Sequence, residues 1–151
     1  MLLSRTSQYA LQALVYMATQ RPEMPILSRD IALKIDVSAT YLAKVLQNLS
    51  RHGLLNSYRG KKGGFSLDDS AFSTRLMQVV SLVEGPLFLE DCPLGLRQCS
   101  ATKPCPIYTT WNPIKENLVS ILEQLTIEEM AKSVISGRFS LADLPGSLLG
   151  Q

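Results

Sequence analysis

SRDIALKIDVSATYLAKVLQNLSRHGLLNSYRGKKGGFSL, residues 28–67, keeps a helical hydrophobic period up to residue 52 and a strand-like one after it. Ser28 is a plausible cap for a short helix, Arg29 to Ile35, with Ile31, Ala32 and Ile35 facing inward. Asp36 and Val37 make a tight turn. Ser38 then caps a second helix, Ala39 to His52, with Leu42, Val45, Leu46 and Leu49 at core spacing. Gly53 stands where a left-handed residue lets the chain leave the helix. Two short helices joined by a turn of about three residues have helix-turn-helix spacing.

The outward positions of the second helix are Thr40, Tyr41, Lys44, Gln47, Asn48 and Arg51. Such side chains donate hydrogen bonds to base edges and phosphates. A merely solvated helix usually mixes in acids, yet none occurs from Ser38 to Arg51. Leu54 to Tyr58 and Phe65 to Leu67 read as two strands, joined by Arg59-Gly60-Lys61-Lys62-Gly63-Gly64. A phosphate-cradling P-loop is excluded, because no G-x-x-x-x-G-K-[ST] pattern is present. A basic hairpin directly after a recognition helix is the wing of a winged helix. From its tip, Arg59 would enter a minor groove, where negative potential concentrates. The candidate DNA contacts are Ser28, Ser38, Thr40, Tyr41, Lys44, Gln47, Asn48, Arg51, Arg59, Lys61, Lys62, Gly63 and Gly64.

Outside this stretch, charge divides the chain. Residues 1–67 carry nine Lys/Arg against three Asp/Glu, and residues 68–151 carry six against ten. A polyanionic partner is therefore expected for the first half only. The chain has 151 residues, 46% hydrophobic and 19% charged, so its core needs no disulfide or metal staple. The opening MLLSRTSQYALQALVYMA is apolar enough to suggest a signal peptide, but Gln8 and Gln12 interrupt it with helical periodicity. It reads as a mature amphipathic helix, Ser4 to Ala18, of a cytoplasmic protein. No window is long and apolar enough for a membrane span.

Downstream, Phe72 and Met77 flank a Ser73 cap as a staple and open a helix from Thr74 to Glu84, stopped by Gly85-Pro86. Ile107, Trp111, Ile114, Leu118, Ile121/Leu122 and Leu125 then alternate steps of four and three, an a/d seam. With Pro113 suited to a first turn, this helix is expected to begin near Asn112. The seam either dimerises the protein or packs back onto its own domain. Thr126-Ile127-Glu128-Glu129 is a capping box that starts a short last helix. The expected fold is mainly α with a β-hairpin wing. Residues 1–85 form a winged helix-turn-helix domain, 86–108 a cysteine-containing sensor loop, 109–136 a dimerisation helix and its follower, and 137–151 a tail.

These features together resemble the Rrf2 family of bacterial winged-helix repressors, over roughly residues 1–135. The resemblance rests on Tyr9-Ala10-Leu11, Leu27-Ser28…Ile31-Ala32 and Val37-Ser38-x-x-Tyr41-Leu42. It continues in Arg59-Gly60-x-x-Gly63-Gly64-Phe65, Val83-Glu84-Gly85 and spaced cysteines before a long helix. It implies a homodimer on a pseudo-palindromic operator in double-stranded DNA, with a recognition helix in each major groove. A glutamate that reads a base in part of the family is replaced here by Ala43, so operator preference does not transfer.

All three cysteines, Cys92, Cys99 and Cys105, lie in DCPLGLRQCSATKPCPIY, residues 91–108. In a cluster-bearing branch of the family, cysteines at matching places hold an iron–sulfur cluster (2Fe-2S or 4Fe-4S), which the resemblance implies here. That branch adds either a histidine three residues after the last cysteine or an acid on the first helix; Tyr108 and Gln8 occupy those places. The candidate fourth ligands are Tyr108, Gln8, Asp91 and Glu90, or an exogenous molecule. The only histidine, His52, ends the recognition helix. Two other readings of the thiols stay open. Zinc would want four Cys/His ligands where one loop supplies three. A thiol redox switch would want a low-pKa thiolate, which Lys103 and Arg97 favour. An enzyme or electron carrier is disfavoured, since no cysteine–histidine pair, paired carboxylates or nucleotide loop is evident.

Overall fold

The computed structural model describes residues 3–20, 24–86, 88, 92–96 and 99–138. In chain order these form α1 (Arg5–Gln20), α2 (Ser28–Ile35), α3 (Ala39–Arg51), β1 (Leu55–Tyr58), β2 (Gly64–Leu67), α4 (Asp69–Phe72), α5 (Leu76–Glu84), α6 (Tyr108–Gln124) and α7 (Ile127–Ile135). Among the described residues, no helix is long and apolar enough to cross a membrane.

α1 is the central strut, packing on α7, α5, α2 and α3. Its Ala10, Ala13, Leu14, Met17 and Ala18 are buried, and the three alanines let neighbours approach closely. Around them gather Ile31, Leu42, Leu46, Leu49, Val79, Val80 and Ile127. Burying each large aliphatic side chain contributes about 1.5–3 kcal/mol, so this cluster is the main source of stability.

The helix-turn-helix forms where its residues predict, with one correction: Ser28 does not cap α2 but is its first residue. The pairing of Ile26 with Phe65 holds Leu27 extended as the N-cap, whose carbonyl accepts the first helical bonds and whose side chain supplies no cap. Both Asp36 and Val37 direct their N–H groups at the Ala32 carbonyl, Val37 at 3.0 Å. Asp36 takes the left-handed conformation (φ 54°), which a short polar residue tolerates. Ser38 caps α3 by accepting from the Tyr41 N–H at 3.4 Å, and Gly53 leaves with φ 79°. In the antiparallel hairpin Leu55 pairs with Leu67 and Tyr58 with Gly64. The hairpin is also stitched to the entry of α2: Ile26 and Phe65 exchange backbone hydrogen bonds of 2.8 and 2.9 Å. This pairing makes Gly64 obligatory, because a Cβ there would lie 2.4 Å from the Ile26 carbonyl oxygen.

Two expected boundaries are corrected. Ser73 does not open the next helix; it closes α4, its hydroxyl donating to the Ser70 carbonyl at 3.1 Å. α5 starts only at Leu76, because residues 74–76 are drawn into extended pairing with 125–127. Leu76 N–H donates to Leu125 O at 2.9 Å, Ile127 N–H donates to Thr74 O at 3.0 Å, and the Arg75 guanidinium donates to the Glu123 carbonyl at 2.6 Å. α6 begins at Tyr108 rather than near Asn112, with Pro113 inside it. Its opening turn is closed by the Tyr108 N–H on the Cys105 carbonyl (3.0 Å) and the Trp111 N–H on Ile107 (2.8 Å). Pro113 costs it only the bond to Thr109. The capping box on α7 is present, with Thr126 N–H donating to the Glu129 carboxylate at 2.8 Å.

The seam of α6 divides. Leu122 joins the core and Leu118 packs beside it, whereas Ile114 (49% exposed) and Ile121 (55%) face outward.

Candidate nucleic-acid interface and thiol segment

α3 and the wing present one basic surface. From Ser38 to Leu67 the chain carries Lys44, Arg51, Arg59, Lys61 and Lys62 and no acid. All five cations are exposed, and among the described residues none forms an ion pair. Their full charge is thus available to a polyanion.

Between α2, α3 and the wing lies a cleft of about 300 Å³. Ser28 at the start of α2, Gln47 of α3 and Arg59, Gly63 and Gly64 of the wing all line it, so the fold gathers five predicted contacts. Gly63 is buried, and a Cβ there would sit 2.5 Å from the Tyr58 carbonyl oxygen. Both wing glycines are therefore required by backbone packing, whatever the wing binds. Ser57 and Tyr58 also line the cleft, and the sequence reading missed them. The exposed run Asn56 to Tyr58 after buried Leu55 is the only signal that pointed to them.

Thr40, Tyr41, Lys44, Gln47 and Arg51 are exposed on α3, and Asn48 is half-buried. The Asn48 carbonyl is engaged by His52 Nδ1 at 2.8 Å, so His52 belongs to the end of the recognition helix. Tyr41 has a second set of partners. Its hydroxyl hydrogen-bonds Thr6 Oγ1 of α1, and its ring meets Tyr9 edge-on, centroids 5.9 Å apart at 82°. Across the same first turn of α1, the Glu84 carboxylate accepts from Ser4 N–H at 2.8 Å and from the buried Ser7 hydroxyl at 2.5 Å. Burial raises the Glu84 pKa, but the hydrogen bonds from Ser7 and Ser4 outweigh it and leave the carboxyl below its ordinary value.

The thiol segment is less assembled. Cys92, Cys99 and Cys105 are all free and half-buried. Cys92 opens a turn in which Gly95 N–H donates to its carbonyl at 2.8 Å; Ser100 and Thr102 bridge their hydroxyls at 2.7 Å. Among the described residues no three Cys, His, Asp or Glu side chains gather as a metal would require. Three soft donors with no competing bond suit an iron–sulfur cluster in chemistry, though they do not converge on one point. Of the fourth-ligand candidates, Tyr108 heads α6 next to the Cys105 carbonyl. Gln8 directs its amide nitrogen at the Leu3 carbonyl (3.2 Å) and its oxygen at Arg5 (3.5 Å). Glu90, Asp91 and Arg97 lie outside the described residues, as does the tail beyond residue 138.

Comparison with known proteins places these features. Residues 3–133 match the model of the Rrf2 family, described as "Iron-dependent Transcriptional regulator". A relative in Aquifex aeolicus, named as an HTH-type transcriptional regulator, is 30% identical over 132 residues, covering 86% of this chain and 91% of its own. The HTH-type transcriptional regulator IscR of Xenorhabdus nematophila is 28% identical over 133 residues, 88% and 80% of the two chains. In fold, the chain is similar to the solved structure of CymR, the global cysteine regulator of B. subtilis. The TM-score is 0.69 at 22% identity, over 86% of this chain and 95% of that one.

Proposed function

Because this chain belongs to the Rrf2 family of transcriptional regulators, we propose that it binds a pseudo-palindromic DNA operator as a homodimer, and that an iron–sulfur cluster on Cys92, Cys99 and Cys105 sets its affinity. It is a transcriptional regulator and not an enzyme, as its relatives are. Repression in the cytoplasm is the simplest outcome, since an occupied operator blocks the polymerase.

The observation that carries the DNA reading is the acid-free run of five exposed cations on α3 and the wing, without an ion pair among the described residues, of which Arg59 lines the α2–α3–wing cleft. α3 would lie in the major groove, where Gln47 and Lys44 reach base edges. Arg59 would reach the adjacent minor groove, and Ser28 and Lys61 or Lys62 would hold phosphates. The dimer reading is supported by the outward Ile114 and Ile121 of α6, and by the buried Trp111 Nε1, which has no acceptor among the described residues. A second copy would cover this seam and set the spacing of the two heads.

When bound, a cluster would supply a centre responsive to iron and oxidants between α5 and α6. A thiol switch is the second reading, favoured by one observation: the three thiols are free and are not gathered. Duplex binding measured against salt tests the DNA reading. Ten cations per dimer, half of them on phosphates, give a log–log slope of about −4 to −5. Flat salt dependence would leave the carrier reading ahead. Absorbance and iron and zinc content of anaerobically purified protein separate cluster, zinc and bare thiols. Cys99→Ala should be colourless, and persistent colour would remove Cys99 from the ligand set.

A further inference from the structure

The Val83-Glu84-Gly85 end of α5 and the opening turn of α1 are both outside the DNA surface, yet they are joined to it. Glu84 Oε1 accepts from the Ser4 N–H (2.8 Å) and the Ser7 hydroxyl (2.5 Å), placing a carboxylate at the positive end of α1. Ser7 is fully buried, while Ser4 and Glu84 are half-buried, so the contact lies at the edge of the core. On the opposite side of the same turn, Thr6 bonds the Tyr41 hydroxyl and Tyr9 packs edge-on against the Tyr41 ring. Tyr41 belongs to the first turn of α3, where Ser38 caps its N–H. Glu84 is one residue from Gly85, beyond which the chain runs into the cysteine segment.

We propose that the first turn of α1 is a joint through which the end of α5 positions the recognition helix, with Glu84 gripping it on one side and Tyr41 on the other. Glu84 and Tyr41 are positioning residues: neither needs to touch a base for the joint to act. Ser4 and Ser7 hold the carboxylate, Thr6 and Tyr9 hold the tyrosine, and one helical turn carries both sets. A shift of α5 would move the turn, and the turn would tilt α3 in its groove. This rests on the DNA-binding reading above, and it makes the Tyr41 hydroxyl a hinge contact rather than a reader of sequence.

The test is a double-mutant cycle on discrimination, the affinity ratio between a duplex enriched from a random pool by the wild-type protein and an unselected duplex. Glu84→Ala and Tyr41→Phe should each lower the ratio about tenfold, and the double variant about tenfold again in total, because both break one joint. Independent effects would multiply to about a hundredfold. Glu84→Gln, which keeps an acceptor for Ser4 and Ser7, should restore the ratio to within about threefold. Thermal unfolding is followed in parallel, and Ser7→Ala takes the place of Glu84→Ala in the cycle if that variant fails to fold. Multiplicative losses, or an unchanged ratio in either single variant, overturn the joint. If the wild-type protein enriches no duplex, the DNA reading falls first and the joint falls with it.

Discussion

The winged head and the thiol segment differ in how much of each site the fold assembles. In the head, α2, α3 and the wing converge on one cleft, held by a capped helix, a glycine that admits no side chain and a backbone stitch at Ile26. The thiol segment holds its three sulfurs in turns whose hydrogen bonds are local, and the sulfurs do not gather. A surface that docks on a fixed duplex gains from being preorganised, whereas a sensory group gains from a segment whose shape depends on its state. Under the proposed function, recognition would then belong to the rigid part of the molecule and control to the adaptable part.

Core truncation breaks the comparison most forcefully. Leu46→Ala opens a cavity under α3 and should cost about 2–5 kcal/mol in denaturant unfolding. Cys99→Ala, in the adaptable part, should stay within about 0.5 kcal/mol of wild type in the same assay. Equal losses would erase the distinction between a rigid head and a loosely held thiol segment. Gly64→Ala comes next: its side chain would collide with the Ile26 carbonyl at a φ of 131°, costing about 1–3 kcal/mol and loosening the wing. A wing that keeps both stability and duplex affinity in this variant would show that the stitch to Ile26 is dispensable.

Arg59→Ala should weaken duplex binding about tenfold at fixed salt, and Gln47→Ala or Lys44→Ala should shift sequence preference by about 1–3 kcal/mol per lost base contact. Unchanged binding in all three variants would refute the contacts assigned to α3 and the wing. The smallest effect is on acid stability. Glu84 has its folded pKa lowered, so its stabilisation is present above the unfolded glutamate value and is lost as pH falls through the lowered folded one. Glu84→Gln should therefore lower stability modestly at neutral pH, match wild type in strong acid, and so flatten the acid limb of the stability profile. A wild-type acid limb in that variant would mean another carboxylate carries the transition.

Most of the head was legible because its signals are local. Ser38, Gly53 and the Arg59–Gly64 connection each determine a cap or a turn within a few residues. The end of α4 and the start of α5 were misread because Thr74 to Leu76 are claimed by residues about 50 positions away, a pairing that no local propensity reports. α6 opened a turn early because the Cys105 and Ile107 carbonyls accept from Tyr108 and Trp111, and a proline inside a helix does not say how many turns precede it. Ser28, Gln47 and Arg59 were legible as contacts, but their shared cleft was not, since it depends on how the hairpin folds back on α2. The Thr6–Tyr41 contact and the Glu84 grip bridge 35 and 77 or more positions, and they are properties of the packed fold alone.

Fluorescence anisotropy on the selected duplex, with protein purified anaerobically, then stripped of iron, then oxidised at its thiols, tests the central claim most directly. Control by the Cys92–Cys99–Cys105 segment predicts that at least one treatment changes operator affinity about tenfold or more, and that Cys99→Ala responds to none of them. Identical affinity of all three wild-type preparations would contradict it.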